Sequence, residues 1–150
     1  MNRALSITHS DATPADTVTL VYDDRYRRRM TLVGDGGLKF LLDLTEAREL
    51  RDGDDLVLDD GRTVRVKAAP EPLMVVTCTD RKHLVRTAWH VGNRHLACEI
   101  HDDRLVLRRD DVIADMLRRL GCGVEAIEAP FSPEGGAYGH LGKHDVADNA

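Results

Sequence analysis

The prolines of Ala68-Ala69-Pro70-Glu71-Pro72 divide this chain into two parts with different hydrophobic periods. Proline has no N–H for a ladder or a helix, and it forces the preceding residue into extended backbone. Before the break no helical period is found. Thr17-Val18-Thr19-Leu20-Val21-Tyr22 alternates as a half-buried strand does. Met30–Val33 and Leu38–Leu42 flank Gly34-Asp35-Gly36-Gly37, and Leu56–Leu58 and Thr63–Val66 flank Asp59-Asp60-Gly61-Arg62. Both links suit tight hairpins, whose turns need positive φ. Arg51-Asp52-Gly53-Asp54 is a further turn. Residues 1–72 therefore read as a small all-β domain.

After the break the pattern changes. Leu73–Cys78 is a short apolar run suited to a buried strand. Thr79 or Asp80 can cap a helix by accepting from its free N–H groups. Leu84, Val85, Ala88 and Val91 follow on one helical face, and Gly92 stands where a left-handed stop is usual. Leu96, Cys98 and Ile100 alternate as a strand, His101-Asp102-Asp103 turns the chain, and Arg104–Leu107 returns. Asp110 or Asp111 caps a second helix with the stripe Val112, Ile113, Met116, Leu117 and Leu120, ended by Gly121. Val124–Ala129 is the last strand. The order β-α-β-β-α-β over residues 73–134 predicts a ferredoxin-like domain, with helices on one sheet face only. The fold class is thus α+β. Residues 135–150, glycine-bearing and polar, predict a flexible tail.

Composition narrows the function classes. The chain has 150 residues, 42% of them hydrophobic but only 4% aromatic, so its cores should be aliphatic. A net charge of −5 argues against a nucleic-acid partner. The basic run Arg25, Arg27, Arg28, Arg29 reads as a solvated strand edge rather than a binding patch. No stretch is long and apolar enough to span a bilayer, and Met1 is not followed by a secretory leader. Cys78, Cys98 and Cys122 are far apart and form no CxxC pair, usage that suits a reducing cytoplasm. No phosphate-binding glycine loop is present, because Gly34–Gly37 lacks the following Lys-Ser/Thr and lies between strands.

The chemistry must then come from histidine. Among His9, His83, His90, His95, His101, His140 and His144 there is no HExxH. His95, in Gly92-Asn93-Arg94-His95, falls between a helix end and a strand, where it can bond the backbone or face a symmetry-related copy of itself in a dimer. Imidazole is the commonest protein ligand for nickel, copper and zinc. His140 and His144 are four apart in a glycine-flanked tail that could close over a metal anchored elsewhere. His83 and His90 read as solvated helix residues, and His101 with Asp102 and Asp103 as an ordinary polar turn that could also take a cation. Cys78 precedes a helix N-terminus, where a thiolate could ligate copper or zinc; the plainer reading of all three cysteines is a small buried hydrophobe.

These residues carry a resemblance. Leu41–Ala47, Arg51–Asp54 and Asp59–Arg62 in the first half, and Gly92–His95, Asp110–Leu117, Pro130-Phe131 and Gly136–Tyr138 in the second, make the chain resemble the urease accessory protein family UreE, the nickel metallochaperones. The resemblance implies a partner-binding N-terminal domain and a metal-binding second domain that forms a homodimer. It implies a cytoplasmic carrier rather than an enzyme, with Ni(II) as cargo passed to apo-urease through a complex that includes the GTPase UreG. The family's nickel histidine maps onto His95, whose two copies would meet near the two-fold axis. Its tail ligands map onto His140 and His144. Zn(II) or Cu(II) could bind the same site. Relatives with a histidine pair at the start of the second helix differ from this chain, which has Arg109 and Asp111 there. The alternative of another class is a metal-independent scaffold in an enzyme-maturation complex. A metal hydrolase would need a general base beside the metal, and none is identifiable.

Overall fold

The computed structural model describes residues 1–135. Its contacts divide the chain into two units, Met1–Ala69 and the part from Pro70 onward.

The first unit is one six-stranded sheet. Its strands are β1 (Asn2–Thr8), β2 (Asp16–Leu20), β3 (Tyr26–Val33), β4 (Lys39–Glu49), β5 (Asp55–Leu58) and β6 (Thr63–Ala68), in the order β2-β6-β5-β1-β4-β3. The β3–β4 and β5–β6 hairpins form at the predicted glycine turns, with Gly37 and Gly61 at φ of 100° and 90°. Sequence alone did not find β1, which pairs parallel to β4 and antiparallel to β5. Ala4 is fully buried and Ile7 partly so, with a register shift between Ala4 and Ser6, so β1 carries little alternation for its apolar signal to show. Leu32, Phe40, Leu42, Leu56, Val64 and Val66 fill that core, aliphatic apart from Phe40. Gly34 is required by a close approach: a Cβ there would lie 2.2 Å from the Asp16 carboxylate. That carboxylate accepts from the N–H groups of Thr17, Gly36 and Leu38 and so pins the β3–β4 turn.

One prediction for this unit fails in detail. A four-residue helix, α1 (Tyr22–Arg25), precedes β3. Arg25 is only 1% exposed, with its guanidinium 5.5 Å from the centre of the Tyr22 ring. It is therefore not part of a solvated edge. Arg28 and Arg29 are exposed on β3, which does lie at the sheet edge.

The second unit is βαββαβ: β7 (Pro70–Thr77), α2 (Arg81–Asn93), β8 (Glu99–Ile100), β9 (Arg104–Arg108), α3 (Asp111–Arg119) and β10 (Gly123–Pro130). The strand order β10-β7-β9-β8, antiparallel throughout, is the ferredoxin-like arrangement. Pro70 and Pro72 open β7, opposite Pro130 and Glu128 of β10. Met74 and Val76 of β7 and Leu105 and Leu107 of β9 face the helices, joining Leu84, Val91, Ala114 and Leu117 in one core. Asp80 and Asp110 cap α2 and α3, accepting from the N–H groups of His83 (2.8 Å) and Ile113 (3.0 Å). Gly121 ends α3 in the left-handed region, at φ 89°. The strand predicted over residues 96–100 forms only at Glu99–Ile100.

Candidate metal centre

The end of α2 departs from the sequence expectation in an informative way. Gly92 does not stop the helix; it is helical, and α2 runs on to Asn93. The residue in the left-handed region is His95, at φ 58°, the only non-glycine residue with positive φ among those described. Its N–H bonds the Gly92 carbonyl (3.0 Å), and the Leu96 N–H bonds the Val91 carbonyl (3.3 Å). Those two bonds define a Schellman motif with His95 in the position usually taken by glycine. A side chain in that conformation costs about 1–2 kcal/mol. His95 is exposed, and among the described residues its imidazole makes no hydrogen bond.

Two large apolar side chains stand exposed on α2. Leu84, Thr87 and Val91 are buried, whereas Val85 and Trp89, four residues apart and so stacked on one helical face, are 61% and 63% exposed. His90 is half-buried with its ring edge-on to Trp89, the centroids 5.2 Å apart. His140 and His144 lie outside the described residues, as does the proposed flexible tail beyond Gly135.

The other histidines are accounted for within the fold. His101 bonds Glu99 at 2.9 Å, and the second oxygen of Glu99 accepts from the Ser132 N–H, so this is the polar turn expected. His9 bonds the buried Asp54 at 2.7 Å in the first unit. Arg109 donates to the Leu73 and Ile127 carbonyls and is structural. His83 is not the solvated helix residue expected. Its Nδ1 accepts from the Thr79 N–H (3.0 Å), which leaves Nε2 to donate to the Leu120 carbonyl (2.7 Å). It thereby ties the first turn of α2 to the end of α3.

A second group of possible ligands assembles around that histidine and was not legible in the sequence. Cys78 and Cys122 bring their Sγ atoms to 3.9 Å, and the Cys122 Sγ lies 3.8 Å from His83 Nε2. All three ligand atoms fall within 4.8 Å of one another. Forty-odd residues separate the cysteines, so no spacing rule reports the contact; only the pairing of β7 with β10 does. Burial and the neighbouring Cys78 raise the Cys122 thiol above its ordinary range. Cys98 is different: burial pushes its thiol up to about 12, and it is the inert small hydrophobe expected.

Comparison with known proteins decides the family. The description "UreE urease accessory protein, N-terminal domain" matches residues 2–69, and "UreE urease accessory protein, C-terminal domain" matches residues 71–150. The chain belongs to the UreE urease accessory protein family. A relative named urease accessory protein UreE in Rhodopseudomonas palustris (strain HaA2) is 61% identical over 124 residues, which is 83% of this chain but 58% of that protein. One of the same name in Chelativorans sp. (strain BNC1) is 54% identical over 138 residues, 92% of this chain and 87% of its own length. The chain thus spans somewhat more than half of the first relative and most of the second. The family assignment agrees with the resemblance drawn from Gly92–His95 and the α3 motif. Among the described residues no helix is long and apolar enough to cross a membrane.

Proposed function

We propose that the protein is a cytoplasmic nickel metallochaperone, a carrier rather than an enzyme, that delivers Ni(II) for assembly of the urease active site. The observation that carries this reading is His95. It holds a strained backbone conformation that glycine would adopt freely, and its exposed imidazole makes no hydrogen bond among the described residues. Local strain of this kind persists where a side chain is needed for function. Family membership supports the same role.

A single imidazole does not hold a divalent ion well. The apolar pair Val85 and Trp89 on α2 supports a two-fold dimer through this unit, in which the two copies of His95 approach each other. Imidazoles of His140 or His144 from the tail then complete the shell. Ligands on separate segments can leave one at a time, which suits a carrier that must release its ion. The partners proposed are apo-urease and its accessory complex, including the GTPase UreG. Zn(II) and Cu(II) compete for the same imidazoles, because nitrogen sites favour Cu(II) over Ni(II).

Calorimetric nickel titration of the wild-type protein and His95→Ala tests the site. The expected result is loss of the tight sites in the mutant with the fold intact. Unchanged affinity and stoichiometry would overturn the assignment. Urease activation in cells lacking the protein, complemented by either form, tests the role.

A further inference from the structure

We propose that Cys78, Cys122 and His83 form a second metal site, separate from His95, that takes a thiophilic divalent cation, Zn(II). The geometry is close to that of a metal-bound set. With Zn–S near 2.3 Å and Zn–N near 2.05 Å, tetrahedral angles place two sulfurs about 3.8 Å apart and a sulfur and a nitrogen about 3.6 Å apart. The corresponding distances here are 3.9 Å and 3.8 Å. The third pair, Cys78 and His83, lies within 4.8 Å, so binding would draw these two side chains together.

His83 can change roles if its ring swings off the Leu120 carbonyl, which lies 2.7 Å from Nε2 in the direction a bound ion would take. Thr79 presents two groups to Nδ1: an N–H at 3.0 Å and a hydroxyl at 3.2 Å. Without metal, Nδ1 accepts from that N–H and the Nε2 proton goes to Leu120. With metal, Nε2 ligates the ion and Nδ1 carries the proton, donated to the Thr79 oxygen, an outer hydrogen bond of the kind that metal-bound histidines make. Thr87 adds a third polar contact. Its hydroxyl donates to the His83 carbonyl at 2.8 Å and faces both sulfurs, Cys122 at 3.5 Å and Cys78 at 3.6 Å. Binding releases the two thiol protons and leaves the imidazole neutral.

The ion also has a route in. Cys78 is half-buried and lines a cavity of about 200 Å³ together with Asp80, Arg81, Leu84, Asp102 and Asp103. Three carboxylates and one guanidinium line it, a balance of charge that attracts a cation. The donors are two sulfurs and one nitrogen, which select a softer ion than an all-imidazole site does. They come from three places: the residue after β7, the first turn of α2 and the α3–β10 link. A bound ion would therefore pin α2 and α3 to the sheet.

The test uses the full chain kept reduced by a phosphine, titrated with Co(II) as a spectroscopic stand-in for Zn(II). The expected result is thiolate-to-cobalt charge-transfer absorption that saturates at one ion per chain and is bleached by Zn(II). It should persist in His95→Ala and Cys98→Ala, and disappear in Cys78→Ser and Cys122→Ala. Zn(II) should also raise Tm and slow alkylation of Cys78 in the wild type. Cys78→Ser changes a half-exposed side chain, so it decides the matter even if Cys122→Ala fails to fold. Absence of thiolate absorption in the wild type, its survival in Cys78→Ser, or its loss in His95→Ala would overturn the proposal. None of these readouts depends on nickel binding at His95, so the two sites stand or fall separately.

Discussion

At the C-terminal end of α2, His95 sits in a left-handed conformation with an exposed ring that bonds nothing among the described residues. At the N-terminal end, His83 has both ring nitrogens engaged and two cysteines beside it. The same helix thus offers one histidine whose donor atoms are free but whose backbone is strained, and another whose backbone is relaxed but whose donors are in use. A ligand that must catch and release cargo needs ready lone pairs near solvent. A ligand that supports the fold gains from burial and fixed partners. The proposed carrier role falls to the first kind of histidine and a structural role to the second, at opposite ends of α2.

The comparison can be broken most sharply by exchanging losses between the two ends. His95→Ala should weaken nickel binding by at least about a hundredfold, roughly 2.7 kcal/mol, with little change in stability. Nickel titration checks this, and an equal loss in His83→Ala would erase the distinction. His83→Ala should instead cost about 2 kcal/mol of metal-free stability, because the Leu120 carbonyl and the Thr79 N–H lose their partner. Urea denaturation with nickel titration alongside reads both effects.

A smaller effect has the opposite sign. His95→Gly should raise stability by about 1 kcal/mol, since glycine adopts φ 58° without a Cβ penalty, while abolishing the nickel site. A variant that is stabler yet metal-blind would show that the strain is retained for function. If His95→Gly is no more stable, the strain argument fails. At the other end, Asp80→Ala should cost about 1 kcal/mol through the lost cap to the His83 N–H, with nickel affinity unchanged in calorimetry.

Acid should distinguish the two units. In the first, Asp16 titrates below the usual aspartate range because the N–H groups of Gly36, Thr17 and Leu38 bond its carboxylate. Asp35 is lowered by the hydroxyls of Thr17 and Thr19. Carboxylates depressed in the folded state add stability that is fully present above the unfolded aspartate pKa, near 3.9, and lost as pH falls through the folded values. The first unit should therefore loosen before the second below about pH 4. Amide exchange of the β3–β4 turn against that of α2, followed from pH 6 to pH 3, checks the order.

Much of this was legible in the residues. The proline break, the glycine turns at 37 and 61, the Asp80 and Asp110 caps and the helical stripes each encode a local preference with a known period or cap. Local rules therefore delivered the ferredoxin-like order and the place of His95 after α2. They failed where the signal was diluted or overridden. β1 buries one residue fully and so shows little alternation. Gly92 reads as the helix stop because glycine is the usual left-handed residue, whereas the chain spends that conformation on His95, two hydrogen bonds holding it there.

By itself the sequence determined where each periodic segment lies and what caps it, because these depend on neighbours within a turn or two. Only the tertiary structure decided which donors are free and which are committed. The adjacency of Cys78 to Cys122 follows from the antiparallel pairing of β7 with β10, and the engagement of His83 from the packing of α2 against the end of α3. Contacts between distant segments leave no local period to read, so the second group of ligands becomes visible only once the chain has closed on itself.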